Sequence, residues 1–396
     1  MIERGIITKI KPFLETNDIL LFYGARQVGK TTLMKIIQER HLTKKSFFFD
    51  LENKAYLELC NQNPDIFLKY LKSYFGWNGQ EEIVLFIDEI QYLDSPTNFL
   101  KYLYDNYPML KLIVSGSSTL EIRGKLGDSL VGRLIKFEIF PLSFQEFLLF
   151  KDQPNLAKLV GTPIDLQLIN DQINFFYQEY IRFWAYPKVV LAKTPEIKKE
   201  YLKQIYTTYV EKDIKDIGKI RELEKFNLLI KLLAHQTGNL VNLSEISNTI
   251  NITTQTLNER LFLLEHTFVI KLLTPFSSNL RGELTKMPKV FFIDNGLRNA
   301  CDKGFDFLEG KSFENSFFNY LQNGYKAEKL NFYRTQDKKE IDFIIDWIPY
   351  EVKLAYNGKN LTALNFFTQK YQQQGTVITL QKPENSKHTV LFPREV

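Results

Sequence analysis

An apolar run, Ile19-Leu20-Leu21-Phe22-Tyr23, leads straight into Gly24-Ala25-Arg26-Gln27-Val28-Gly29-Lys30-Thr31, and a helical pattern follows from Lys30 to about Arg40. A strand, a glycine loop of the form GxxxxGK(S/T) and a helix, in that order, leave a chain few folds to choose from. The glycines let the backbone curl so that its N–H groups converge, and the helix presents the positive end of its dipole to the same point. Phosphate oxygens suit such a nest. Lys30 is placed to reach the β- and γ-phosphates of a nucleotide, and the Thr31 hydroxyl to ligate Mg²⁺. The stretch Gly24, Ala25, Arg26, Gln27, Val28, Gly29, Lys30, Thr31 and Thr32 is therefore the expected cradle for ATP.

A second apolar run, Ile83 to Ile87, ends in Asp88-Glu89. Two carboxylates at the end of a strand lie at the open edge of a parallel sheet, where ligands of such folds bind. Asp88 is expected to hold Mg²⁺, and Glu89 to polarise the attacking water as general base. Ser115, in Ser115-Gly116-Ser117-Ser118, is either a water-orienting side chain or an ordinary turn residue. Arg133 is either an arginine finger on a neighbouring copy's γ-phosphate or half of a surface salt bridge. Strand candidates at Phe47–Leu51, Leu112–Val114 and Leu134–Phe140 alternate with helical stretches around 64–75, 96–106 and 119–131. That alternation predicts an α/β domain with a parallel sheet covered on both faces.

A chain of 396 residues is too long for one ordinary core, so roughly two to four domains are expected. No apolar run approaches the roughly 18 residues that span a bilayer, so no membrane partner is expected. Glu3, Arg4 and Lys9 interrupt the N-terminus and no small-residue cleavage site follows, which argues against a signal peptide. The two cysteines, Cys60 and Cys301, lie far apart without metal-ligand spacing, and a reducing cytoplasm fits best. A net charge of +5 permits nucleic acid as a partner without requiring it.

A polar stretch near Lys151 to Asp165 ends the first domain, and a helical region follows through Ile214. Leu243–Ile250 and Thr253–His266 then read as helix–turn–helix, with Leu257, Leu261 and Leu264 on the buried face of the second helix. Thr254, Gln255, Asn258 and Arg260 are expected to point outward, and Arg281, Lys286 and Lys289 to lie in a wing that touches phosphates. Packing against a protein is the alternative use of this helix. Further on, Asp342 in one strand and Glu351-Val352-Lys353 in the next form the D…ExK arrangement of restriction-endonuclease-like nucleases, with Glu314 on the preceding helix. Strand alternation puts Glu351 and Lys353 on one face. Asp342 and Glu351 are expected to bind Mg²⁺, Lys353 to stabilise developing charge, and Glu314 to orient water or a second ion. A nuclease-derived fold kept for binding is the alternative.

GARQVGKTT, LFIDEIQ, VSGSS and the later GR…FPLSFQEF resemble the prokaryotic AAA-type ATPases that carry a C-terminal domain of unknown function. YVEKDI, LLEHTFVIKLLTPFSSN, PKVFFIDNGLRN and EIDFII continue the resemblance over almost the whole chain. Ala185 departs from it, standing before Tyr186-Pro187 where a glycine is expected. The resemblance implies an ATPase core (1–150), a helical linker (151–215), a winged helix (216–304) and a restriction-endonuclease-like end (305–396). The expected function is ATP hydrolysis controlling a DNA-binding or metal-dependent DNA-cleaving C-terminal half. The alternative is a non-enzymatic ATP-dependent switch that acts on a protein partner or a second copy of the chain.

Overall fold

The computed structural model describes every residue except 1, 118–129, 131, 165, 215–217, 277–286, 302–303, 306–307 and 325–328. Most of the helix expected at 119–131, together with Ser118, Arg281 and Lys286, lies outside the described residues. The chain divides into two compact units: Met1–Pro141 with His266–Phe268, and Leu142–Glu265 with Val269–Val396.

The first unit is built on a five-stranded parallel sheet. Its strands are β1 (Ile19–Tyr23), β2 (Ser46–Asp50), β3 (Ile83–Asp88), β4 (Leu110–Gly116) and β5 (Leu134–Glu138), in spatial order β2-β3-β4-β1-β5. Every residue of β3 and β4 is buried, as near-continuous apolar strands covered on both faces must be. Its helices of two turns or more among the described residues are α1 (Lys30–Arg40), α2 (Lys54–Asn61), α3 (Pro64–Phe75) and α4 (Pro96–Asn106). The bounds of α3 follow from local chemistry. The Asn63 side chain accepts from Asp65 N–H, Pro64 occupies the first turn, and Gly76 closes the helix at φ +68°. One face of the sheet buries Leu21, Leu85, Ile87 and Leu112 with Phe67, Leu71, Leu100 and Leu103 of the helices. Because β4 lies between β1 and β3, the ends of all three strands meet at one edge of the sheet.

The second unit begins with α5 (Phe144–Phe150), started by a capping box between Ser143 and Glu146. It continues through α6 (Gln167–Phe183), α7 (Pro195–Ile205) and a π-helical stretch, Tyr206–Ile214. Next come α8 (Leu223–His235), α9 (Leu243–Ile250) and α10 (Thr254–His266). The antiparallel pair β6 (Ile270–Leu273) and β7 (Lys289–Phe292) follows, then α11 (Asn295–Cys301) and α12 (Gly310–Gly324). A mixed sheet in the order β12-β11-β10-β9-β8 ends the chain. Its strands are β8 (Leu330–Arg334), β9 (Glu340–Ile345), β10 (Ile348–Val352), β11 (Thr376–Ile378) and β12 (Thr389–Leu391), with α13 (Thr362–Tyr371) between β10 and β11. One apolar cluster in this unit joins Phe144, Tyr177 and Tyr180 to Phe291, Phe317, Phe343 and Val352. Among the described residues no helix is long and apolar enough to cross a membrane.

Candidate functional site

β1 delivers the chain to Gly24, whose φ of +151° suits only glycine; a β-carbon there would run into the Ile139 carbonyl. Gly29 at φ +97° ends the loop and stands at the N-terminus of α1. Gln27 takes φ +63° without being glycine, a local strain that the loop's curl imposes. Lys30 is buried, and its ammonium donates to the carbonyls of Gly24 and Ala25, each at 3.0 Å. Burial lowers its pKa, while Glu89 and then Asp88 act to raise it. Thr31 is half-buried and Thr32 exposed. Arg26 reaches the Tyr92 hydroxyl at 3.5 Å.

At the end of β3, Asp88 is 2% exposed. Its Oδ2 accepts from the Thr31 hydroxyl at 2.6 Å, and its Oδ1 accepts a short hydrogen bond from Ser115 Oγ. Burial raises the Asp88 pKa, and these two hydroxyls oppose the rise. Ser115 Oγ in turn accepts from Glu89 N–H at 3.1 Å. Ser115 therefore links the two carboxylate residues, a role neither of its sequence readings contained. Glu89 adopts φ +56°, which turns the chain back on itself. Gln91, 3% exposed, then donates its amide to Glu89 Oε2 and, at 3.0 Å, to Ser117 Oγ. Hydroxyl and carboxylate oxygens of this kind suit a hard divalent ion such as Mg²⁺.

Comparison with known proteins agrees with this geometry. Residues 16–148 match the model of an AAA domain. This part of the chain is an AAA-type P-loop domain. Residues 175–307 and 309–392 each match a domain of unknown function (DUF8612 and DUF4143). An uncharacterized protein of Haemophilus influenzae is 28% identical over 359 residues, covering 87% of this chain and 84% of its own. The uncharacterized protein MJ1544 of Methanocaldococcus jannaschii is 27% identical over 351 residues, covering 87% of this chain and 75% of its own. The Walker-type ATPase paby2304 of Pyrococcus abyssi is similar in fold, at TM-score 0.50 and 16% identity over 76% of this chain and 96% of that one. The AAA domain match supports an AAA-type ATPase, and the likeness to paby2304 is one of fold.

Arg133 is bound to Asp105 through Nε at 2.8 Å and Nη2 at 3.3 Å, and lies 5.8 Å from the Tyr104 ring centroid. Of its two sequence readings, the salt bridge is the one present. Arg4 donates to Val28 O at 3.0 Å and to Phe140 O at 2.9 Å, fastening the phosphate loop to the segment after β5.

In the second unit, Glu314 on α12, Asp342 on β9, Glu351 on β10 and Lys353 just after it come together. Lys353 Nζ lies 2.6 Å from Glu351 Oε1 and 3.9 Å from Asp342 Oδ2. Asp342 Oδ2 also accepts from Val352 N–H at 2.8 Å. Lys289 overturns its assignment. It is not an exposed wing residue but the first residue of β7, 1% exposed, with Nζ 2.8 Å from Glu340, 3.4 Å from Glu314 and 3.8 Å from Asp342. Arg334 holds the other oxygen of Glu340 at 2.6 Å. Burial, then the Asp342 charge, pushes Glu314 up to about 8 and Glu351 up to about 7. Among the described residues no three Asp, Glu, His or Cys side chains are grouped to hold a metal ion.

Arg260 requires the second correction. It is 6% exposed rather than outward-facing, and its Nη2 lies 3.5 Å from Glu222. Position 260 falls between Leu257 and Leu264 on the apolar stripe of α10, and the helix buries that stripe. Thr254, Gln255 and Asn258 are exposed, and Thr253 caps the helix by accepting from Thr256 N–H at 3.1 Å.

Proposed function

We propose that the chain binds ATP with Mg²⁺ at the AAA domain, hydrolyses it, and uses the nucleotide state to control its C-terminal half. The continuous chain of contacts Thr31–Asp88–Ser115–Glu89–Gln91 carries this reading. It ties a candidate metal-holding pair to a candidate base through one hydroxyl. Backbone N–H groups from Gly24 to Thr31 and the Lys30 ammonium bind the phosphates. Mg²⁺ bound at Thr31 and Asp88 supplies charge neutralisation to the β- and γ-phosphates. Glu89 takes the proton of the attacking water, and the Gln91 amide fixes the direction in which its carboxylate points. The test is Glu89→Gln, which should keep ATP binding and lose turnover; an unchanged turnover number would assign the base elsewhere.

For the C-terminal half the first reading is DNA binding, with residues 216–304 as a winged helix and 305–396 as a nuclease-like domain. The helix order and the exposed Thr254, Gln255 and Asn258 support it. The burial of Arg260 and Lys289, two of the cations expected on phosphates, favours the second reading, an ATP-dependent switch acting on a protein partner or a second copy. Asp342 and Glu351 are paired with Lys289 and Lys353, and no cleavage step is proposed through them. ATP turnover measured with and without duplex and single-stranded DNA separates the two. Stimulation that weakens as salt rises supports DNA, and a rate indifferent to DNA supports the protein partner.

A further inference from the structure

Four carboxylates, those of Glu314, Glu340, Asp342 and Glu351, are joined by ion pairs to Lys289, Lys353 and Arg334. Of the cations Lys289 alone is almost wholly enclosed, at 1% exposure, and it alone touches three of the acids. Burial works against its charge, but the carboxylates of Glu314, Asp342 and Glu340 outweigh that and hold it above the ordinary lysine value. The seat is built from several elements. Gly238, at φ +79°, leaves room for Glu314, since a β-carbon there would press on the Glu314 carboxylate. Gly238 N–H donates to Val290 O at 2.8 Å, fastening the same turn to β7 beside Lys289. The Phe332 ring closes the space, its centroid 5.5 Å from the ammonium.

A divalent ion shared by Glu314, Asp342 and Glu351 would stand within a few ångströms of this ammonium, in surroundings that screen little. The two cations would repel each other more than the remaining lone pairs could offset. We propose that Lys289 is the resident cation of this cluster, so that Mg²⁺ or Mn²⁺ binds there only when Lys289 is removed or withdrawn. Once Lys289 is absent, Glu351 Oε2, buried without a hydrogen-bond partner, and the freed oxygens of Asp342 and Glu314 are hard donors that such an ion would draw together. This inference does not depend on ATP hydrolysis.

The experiment is a Mn²⁺ titration of the full-length, nucleotide-free chain, read by the loss of free-ion signal in electron paramagnetic resonance. Wild type and Asp342→Asn should bind Mn²⁺ identically, because any ion at Thr31 and Asp88 is common to both. Lys289→Met should gain one further Mn²⁺, at least about tenfold tighter than any wild-type binding attributable to Asp342, and Lys289→Met/Asp342→Asn should lose it. Wild-type binding that Asp342→Asn abolishes would overturn the proposal, as would a folded Lys289→Met with no added site. If Lys289→Met does not melt cooperatively, millimolar Mn²⁺ should restore the melt; failure to restore it counts equally against the proposal.

Discussion

The AAA domain and the acid cluster of the second unit use the same side chains to opposite ends. Each brings a buried lysine close to carboxylates at the ends or edges of strands. In the first, Lys30 donates to two backbone carbonyls, and Asp88 is held by the hydroxyls of Thr31 and Ser115. Among the described residues neither is held in an ion pair, which leaves the lysine to face an anion and the carboxylate a cation. In the second, Lys289 and Lys353 are bonded to the carboxylates themselves, so the opposite charges meet inside the protein. What separates a ligand site from an internal ion cluster is therefore the partner of each charge, a property that residue types and spacing do not encode.

The comparison can be broken most forcefully at Lys30. Lys30→Ala should abolish ATP binding measurable by calorimetry, because the loop loses its fixed cation at the β- and γ-phosphates. Wild-type affinity in that variant would mean the two lysines are alike after all. A step smaller, Glu89→Gln should reduce turnover by roughly 10²–10⁴ with ATP binding intact. Gln91→Ala, removing only the group that orients Glu89, should fall short of that loss, and a steady-state assay that ranks Gln91→Ala above Glu89→Gln would reassign the base.

In the second unit the same kind of substitution should appear in stability instead of binding. Lys289→Met leaves three buried or half-buried carboxylates without their shared cation, and breaking a buried ion pair from one side costs about 3–5 kcal/mol. Lys353 is 39% exposed, so water takes over much of its role, and Lys353→Ala should cost about 1 kcal/mol or less. Urea melts of both, without metal, check the ranking; equal losses would show that the cluster is not organised around Lys289.

Legibility from sequence followed the physical strength of each signal. β1, α3 and α4 lie where the pattern put them, because long apolar runs, a Pro-initiated helix and a glycine stop are local facts. β11 and β12, three residues each, carry too little pattern to announce a strand, and α2 was missed as well. In the AAA domain the pattern put Asp88 and Glu89 at the end of a strand, and β3 ends at Asp88. Gln91 was not singled out, since only the left-handed turn at Glu89 brings it back to the carboxylate. Arg260 shows an error that the same rule could have prevented: its spacing of three from Leu257 and four from Leu264 puts it on the buried stripe. Lys289 gave no such warning, because all four residues of β7 are buried and strand alternation has nothing to sort.

A third buried acid, Asp294, sharpens the comparison, because among the described residues it makes no ion pair. Its Oδ1 accepts from Leu297 N–H at 2.6 Å at the start of α11. Burial raises its pKa to about 8, against the backbone hydrogen bonds from Leu297, Ala185 and Gly296. The folded protein thus keeps a proton that the unfolded chain, with an ordinary Asp value of 3.8, gives up. Its contribution to stability is whole below the unfolded value and is lost as pH rises through the folded one, between about pH 4 and 8. Asp294→Asn keeps the oxygen that caps α11 and removes the titration. Its stability, followed by urea melts across that range, should decline less steeply with pH than that of wild type. Glu314 and Glu351, raised in the same direction, leave a residual slope in both proteins, so the difference between the two curves is the quantity to read. Parallel curves would mean that Asp294 is already ionised in the fold, and that backbone N–H groups alone can hold a buried carboxylate here without a lysine.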